Sequence, residues 1–172
     1  MEYLNLAQVV GYISFILGIS TFYQKDDRKL KIVMVVFNLN HMLHYLLLGS
    51  IVSALSALLS ALRSATAIYV SSKVVAGIFI FISLVSGVWL SNSIWEFWPI
   101  LGTIIGTYSV FILKGIQMRI GFLIGATCWL VNNMLVGSIG GTLLEVTLIS
   151  VNVMTIFRLL KDQQQTLATS KQ

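Results

Sequence analysis

His41, His44 and Tyr45 stand at positions i, i+3 and i+4 of an otherwise apolar stretch, so on a helix they share one face. Two imidazoles and a phenol so placed can hold a polar solute, carry a proton near neutral pH, or begin a metal site. The metal reading needs a third ligand at suitable spacing, and the single cysteine, Cys128, is the lone candidate. Neither metal nor cofactor is expected. Trp129, Asn132 and Asn133 repeat the i, i+3, i+4 pattern later in the chain, and Ser64 and Asn152 are further polar residues inside apolar runs. For each Asn or His the plain alternative is a bond to a neighbouring helix, worth roughly 0.6 kcal/mol on average in membrane bundles. Arg63 is the strongest chemical signal, because a charge deep in an apolar run costs at least about 2.5 kcal/mol. No acid is expected at its depth, since Glu145 falls near the end of a run and the other acids fall in loops. A hydrated cavity with an anionic group answers that cost. Its alternatives are a side chain that snorkels to the interface or bonds Asn152 or a histidine.

Enzyme chemistry finds no support. The chain has no HExxH, no G-x-S-x-G, no paired acids and no glycine-rich phosphate loop, so neither hydrolytic nor phosphoryl-transfer machinery is in place.

The elements that position these residues follow from composition. Of 172 residues 57% are hydrophobic and 10% charged, and the mean hydropathy is +0.90. A soluble domain is about one quarter charged, so this chain lacks the charge to clothe a water-facing surface, and an all-α membrane protein is expected. The net charge of +5 does not point to nucleic acid, because the basic residues fall in short gaps between apolar runs. The N-terminus, MEYLNLAQVV, has no basic n-region of the kind a cleaved secretory signal carries.

At about 20 apolar residues per crossing, seven spans are predicted, near 5–24, 30–48, 51–72, 74–91, 93–113, 117–136 and 139–160. Positions 32–62 contain no charge, and Gly49-Ser50 divides them. The lysines and arginines set direction. Lys25, Arg28, Lys29, Lys31, Lys73, Lys114, Arg119, Arg158, Lys161 and Lys171 all fall on one side of a seven-span chain. That side is the cytoplasm, so the N-terminus is outside and the C-terminus inside. Trp95 and Trp98 beside Glu96 suit the outer aromatic belt. Small residues mark helix contacts: Ser53, Ala57, Ala61 and Ala65 in span 3, Gly102 and Gly106 in span 5, Gly121 and Gly125 in span 6. Packing within the chain is the first reading of these stripes and a homo-oligomer the lesser one. Span 3 is expected at the centre of its helix group.

An offset of 88 residues (Ile16 to Ile104) lays spans 1–3 on spans 5–7 without a gap. Gly18, Gly49-Ser50-Ile51 and Leu55 meet Gly106, Gly137-Ser138-Ile139 and Leu143, and Lys31 meets Arg119. His41, His44 and Tyr45 meet Trp129, Asn132 and Asn133. Equivalent spans are four apart, so the repeats run parallel. The organisation is a first three-helix repeat over 1–72, a linker helix over 73–92, a second repeat over 93–160, and a disordered cytoplasmic tail over 161–172.

This three-plus-one-plus-three plan resembles the SWEET and PQ-loop superfamily, which includes the KDEL receptor, and is most similar to the bacterial inner-membrane YgjV family. No Pro-Gln dipeptide occurs, and the one proline, Pro99, aligns with Gly11. In SWEET transporters an asparagine pair on spans 3 and 7 and a tryptophan on span 6 face the substrate. The resemblance thus implies Asn152 and Trp129 as contacts, with Ser64 where the second asparagine stands. It also implies the bacterial inner membrane as location. The expected function is facilitated or proton-coupled transport of a small polar solute, anionic if Arg63 binds it, held at the midplane by Arg63, Asn152, His41, His44, Trp129, Asn132, Asn133 and Ser64. The alternative is a receptor or regulatory binding protein of KDEL-receptor-like architecture. Expected partners are the solute and the lipid bilayer, not nucleic acid.

Overall fold

The computed structural model describes residues 2–22, 27–70, 72–113 and 115–169; Lys25, Lys114 and Lys171 of the topology argument lie outside them. The described residues are helical, without strands: α1 Glu2–Phe22, α2 Asp27–Leu47, α3 Ile51–Ala67, α4 Lys73–Leu90, α5 Phe97–Ile112, α6 Gly115–Leu135 and α7 Ile139–Thr169. A short 3₁₀ turn, Ile94–Glu96, leads into α5. The predicted spans and these helices coincide closely, with two corrections. α3 stops at Ala67 rather than near 72. The tail expected to be disordered from Lys161 continues α7 to Thr169, because Lys, Gln, Leu and Ala are strong helix formers that need no apolar neighbours to extend a formed helix.

Two turns shape each end of the pattern alike. Gly49 and Gly137 have φ of 76° and 72°, the left-handed region that a Cβ penalises. The N–H of Ser50 donates to the Tyr45 carbonyl at 3.0 Å and that of Gly49 to Leu46 at 3.1 Å. In the second turn Ser138 donates to Asn133 at 2.8 Å and Gly137 to Met134 at 3.4 Å. Both are Schellman caps, which close the last carbonyls of α2 and α6 without water. At the opposite end of the bundle the Lys31 ammonium reaches the Ala67 carbonyl at 2.5 Å, a cation at the negative end of α3.

Helices α1, α2, α3, α5, α6 and α7 contact one another in that order, and α1 and α7 close the circuit. α2, not α3, lies between the other two helices of its group. α3 instead packs on α2, α4 and α5, which its serines and alanines allow: Ser53, Ser56, Ala57, Ser60, Ala61 and Ser64 are all buried. The small residues of α5 and α6 face each other, with a Cβ on Gly125 only 3.5 Å from the Gly102 carbonyl oxygen. A Cβ on Gly140 would lie 2.3 Å from the Gly11 carbonyl, so α1 and α7 touch backbone to backbone.

α4 lies outside this circuit, against α3 and α5. Its Val74, Phe81 and Trp89 are 72%, 66% and 84% exposed, a surface that water would oppose. Lys73–Leu90 and Ile116–Leu135 are long and apolar enough to cross a membrane, and Leu6–Thr21, Ile51–Ala67 and Ile139–Met154 are shorter apolar helices.

Candidate functional site

His41, His44 and Tyr45 point inward from α2 and are buried. The Tyr45 hydroxyl donates to Asn133 Oδ1 on α6 at 2.6 Å. Its one hydrogen being spent, its oxygen accepts from His41 Nε2 at 2.9 Å, which leaves His41 Nδ1 as a bare acceptor in the neutral ring. That atom is buried without a partner. Tyr45 stacks on Trp129 with ring centroids 5.7 Å apart and planes at 20°, and His41 stands edge-on to Trp129 at 6.4 Å.

His44 is held differently. Its Nδ1 lies 2.7 Å from the Ala7 carbonyl of α1, so that nitrogen carries the proton and donates. Nε2 accepts from Ser138 Oγ at 2.6 Å, and Ser138 Oγ in turn accepts from the Gly141 N–H at 3.1 Å. Both ring nitrogens are satisfied, and the ring fits because Gly11 lacks a Cβ, which would sit 2.8 Å from His44 Cε1. His44 is a structural tie among α1, α2 and α7; His41 has a free valence.

The amides of α6 resemble His41. Asn132 Oδ1 accepts from Ser53 Oγ at 2.9 Å, and Ser53 accepts from Ser50 at 2.6 Å. Asn132 Nδ2 and Asn133 Nδ2 have no partner. Three polar atoms without partners, one acceptor on α2 and two donors on α6, thus belong to side chains of the bonds that join α2, α3 and α6. An unsatisfied buried polar group costs about 1–3 kcal/mol, so each of these groups is open to a partner, whether water or solute.

The group lies toward one end of the bundle. Tyr45 and Asn133 are two residues from the ends of α2 and α6, about 3 Å at 1.5 Å per residue, and His41 and Trp129 are about 9 Å from the same ends. The site belongs to the half of the bundle bearing the Gly49 and Gly137 turns.

Arg63 is not part of it. The end of α3 at Ala67 leaves Arg63 about 6 Å from the far end of the bundle. Its guanidinium turns to α5, where Nη1 donates to Thr107 Oγ1 at 3.2 Å over the space left by Gly106, whose Cβ would lie 3.0 Å away. Neither His41 nor Asn152 is its partner. Nε is buried and unpaired, as is Thr103 Oγ1 nearby. Ser64 spends its hydroxyl on the Ser60 carbonyl of its own helix at 2.8 Å. Asn152 is buried on α7 and takes no part in the His41–Asn133 network. A groove of about 630 Å³ runs between α4, α5 and α6, lined by Ile80, Ile104, Tyr108, Ser109, Gln117 and Ile124.

Sequence reasoning missed Ser53, Ser138, Thr107 and Glu145. Serine and threonine in helices bond their own backbone as a rule, so their cross-helix roles carry no signature. Glu145, read as a residue near a helix end, is 6% exposed.

An apolar exterior around a buried polar seam defines an all-α membrane protein. The chain belongs to the Imp-YgjV family of bacterial inner membrane proteins, whose model matches residues 5–163. It is 34% identical over 160 residues to the inner membrane protein YgjV of Escherichia coli (strain K12), covering 93% of this chain and 87% of that relative. No solved structure matches it.

Proposed function

We propose that the chain is a seven-span inner-membrane transporter for a small polar solute, built from two parallel three-helix repeats with α4 as their linker, in the manner of the SWEET and PQ-loop superfamily. Under the 88-residue offset α1, α2 and α3 correspond to α5, α6 and α7. The helix contacts then fall into equivalent pairs: α1–α2 with α5–α6, α2–α3 with α6–α7, α1–α7 with α3–α5. Equivalent helices with the same direction imply an axis along the membrane normal, passing between α2 and α6. Alternating access by motion of one repeat against the other is the mechanism such an axis serves. The charge pattern orients the bundle with the N-terminus outside and the C-terminus in the cytoplasm, which puts the polar seam in the outer half.

The observation that carries the reading is that His41 Nδ1, Asn132 Nδ2 and Asn133 Nδ2 are all buried and unpaired, on residues adjoining the Tyr45–Trp129 stack. One acceptor, two amide donors and an aromatic face suit a solute rich in hydroxyl or carbonyl groups. Arg63, turned toward α5, lends no support to an anionic one.

The test is a thermal-shift screen of purified protein against neutral and charged polar metabolites, since a ligand of the folded state raises its apparent stability. The stabilising solute should enter liposomes containing the protein, and Asn132→Ala or His41→Ala should abolish both effects. A solute that binds and does not cross would favour the receptor reading.

A further inference from the structure

We propose that Glu145 is a proton-binding site of the axial seam. Glu145 lies on α7, one turn inward from Gly141, and residues four apart share a helix face. That face is pressed on Asn133: a Cβ on Gly141 would lie 2.4 Å from Asn133 Oδ1. The 88-residue offset gives the same placement independently. Glu145 corresponds to Ala57, and Asn133 to Tyr45. Ala57 and Tyr45 pack together in one buried cluster, so Glu145 holds the place beside Asn133 that a methyl group holds beside Tyr45. Glu145 and Tyr45 also interact electrostatically.

Among the described residues no cation answers this carboxyl. Arg63, the buried cation of α3, is engaged with Thr107 and lies about 18 Å along its helix from the turn end, against about 9 Å for Glu145. The titratable groups of α2 on this side are Tyr45, His41 and His44. α1 from Leu6 inward carries no charged residue, and its Tyr12 is exposed. α6 offers buried Cys128 and no charge at this level. A carboxylate buried without a cation takes up a proton instead of holding its charge. The occupant is a proton rather than a cationic solute because α7 is packed tightly one turn away on the same face: at Gly141 even one added carbon collides with Asn133 and Ser138.

The proton changes what the seam can do. A protonated Glu145 is both donor and acceptor, whereas the carboxylate only accepts. Once deprotonated, it draws the unpaired Asn133 Nδ2 and competes with Asn133 Oδ1 for the Tyr45 hydroxyl hydrogen, loosening the bond that joins α2 to α6. Binding of the proton stands by itself; its coupling to solute movement rests on the transport reading.

Infrared difference spectra of the purified protein, taken from acid to alkaline pH, should show a protonated-carboxyl C=O band that fades with rising pH and is lost in Glu145→Gln. Dicyclohexylcarbodiimide, a lipophilic reagent for protonated carboxyls, should add mass to the peptide carrying Glu145, and less of it as pH rises. Absence of both signals in the native protein, or their persistence in Glu145→Gln, would overturn the site. In liposomes, Glu145→Gln should lose the acceleration of solute uptake by a pH gradient. Native protein that titrates at Glu145 yet moves no solute would sink the transport reading and leave the proton site standing.

Discussion

Tyr45 and Asn133, 88 positions apart, share a hydrogen bond of 2.6 Å. Under the internal repeat each is the other's counterpart. Two counterparts can touch only close to an axis that relates them, so under the proposed repeat this bond marks that axis. His41 and Trp129 form the next such pair inward. The residues at each pair differ, so an axis there would bring unlike side chains together.

Tyr45→Phe should lower stability by about 1–2 kcal/mol, because it strips partners from both Asn133 Oδ1 and His41 Nε2. A double-mutant cycle with Asn133→Leu, followed by unfolding in detergent, should give a coupling energy within the ~0.6–1.7 kcal/mol range known for membrane bundles. Strict additivity would mean that the bond does not form.

His44 and His41 should behave oppositely. His44→Ala unties Ala7 and Ser138 and should cut the melting temperature, and Gly11→Ala should do the same by displacing the ring. His41→Ala removes one bond from a ring that already has an open nitrogen, so its melting temperature should fall less while solute binding is lost. Equal melting losses in the two histidine variants would contradict this assignment.

At Arg63 the expectation is an inversion of the usual order. Arg63→Leu removes a buried charge and should be neutral or stabilising, by up to a few kcal/mol. Thr107→Val leaves the guanidinium without its hydroxyl acceptor and should destabilise by about 1–3 kcal/mol. Thermal unfolding of the two purified variants decides the matter, and a large loss in Arg63→Leu would show that the charge is needed for the fold.

The turn glycines separate backbone strain from packing. A Cβ at Gly49 or Gly137 meets nothing within 4 Å, so alanine there costs the left-handed conformation alone, about 1–2 kcal/mol. Gly140→Ala meets the Gly11 backbone and should cost more, since α1 and α7 must part. Ranking the three melting temperatures checks the close contact.

Topology is checked by cysteines read with a membrane-impermeant thiol reagent on intact cells, in a Cys128→Ser background. Asn92→Cys, in the loop before α5, should label from outside, and Lys73→Cys should label only after permeabilisation. Labelling of Lys73→Cys in intact cells would reverse the proposed orientation.

Much of the fold was legible in the sequence. Apolar runs separated by Gly-Ser-Ile turns and basic gaps mark helices to within a few residues, because burial of backbone polar groups in lipid leaves the helix as the economical local structure. The same 88-residue offset that is visible in Gly49 and Gly137 reappears as paired Schellman caps. The inward face of α2 was also readable, since i, i+3, i+4 spacing places His41, His44 and Tyr45 together whatever surrounds them. Which helix each face meets was not. Small residues permit close approach on any neighbour, so the serines and alanines of α3 could not say that α2 lies between α1 and α3, or that Arg63 faces Thr107. Nor could spacing tell His44, satisfied by Ala7 and Ser138, from His41 with its open nitrogen. Those distinctions depend on partners 37 and 94 residues distant for His44. Glu145 shows the limit most sharply: counting along the chain puts it near a helix end, and only the packing of α7 in the bundle leaves it buried.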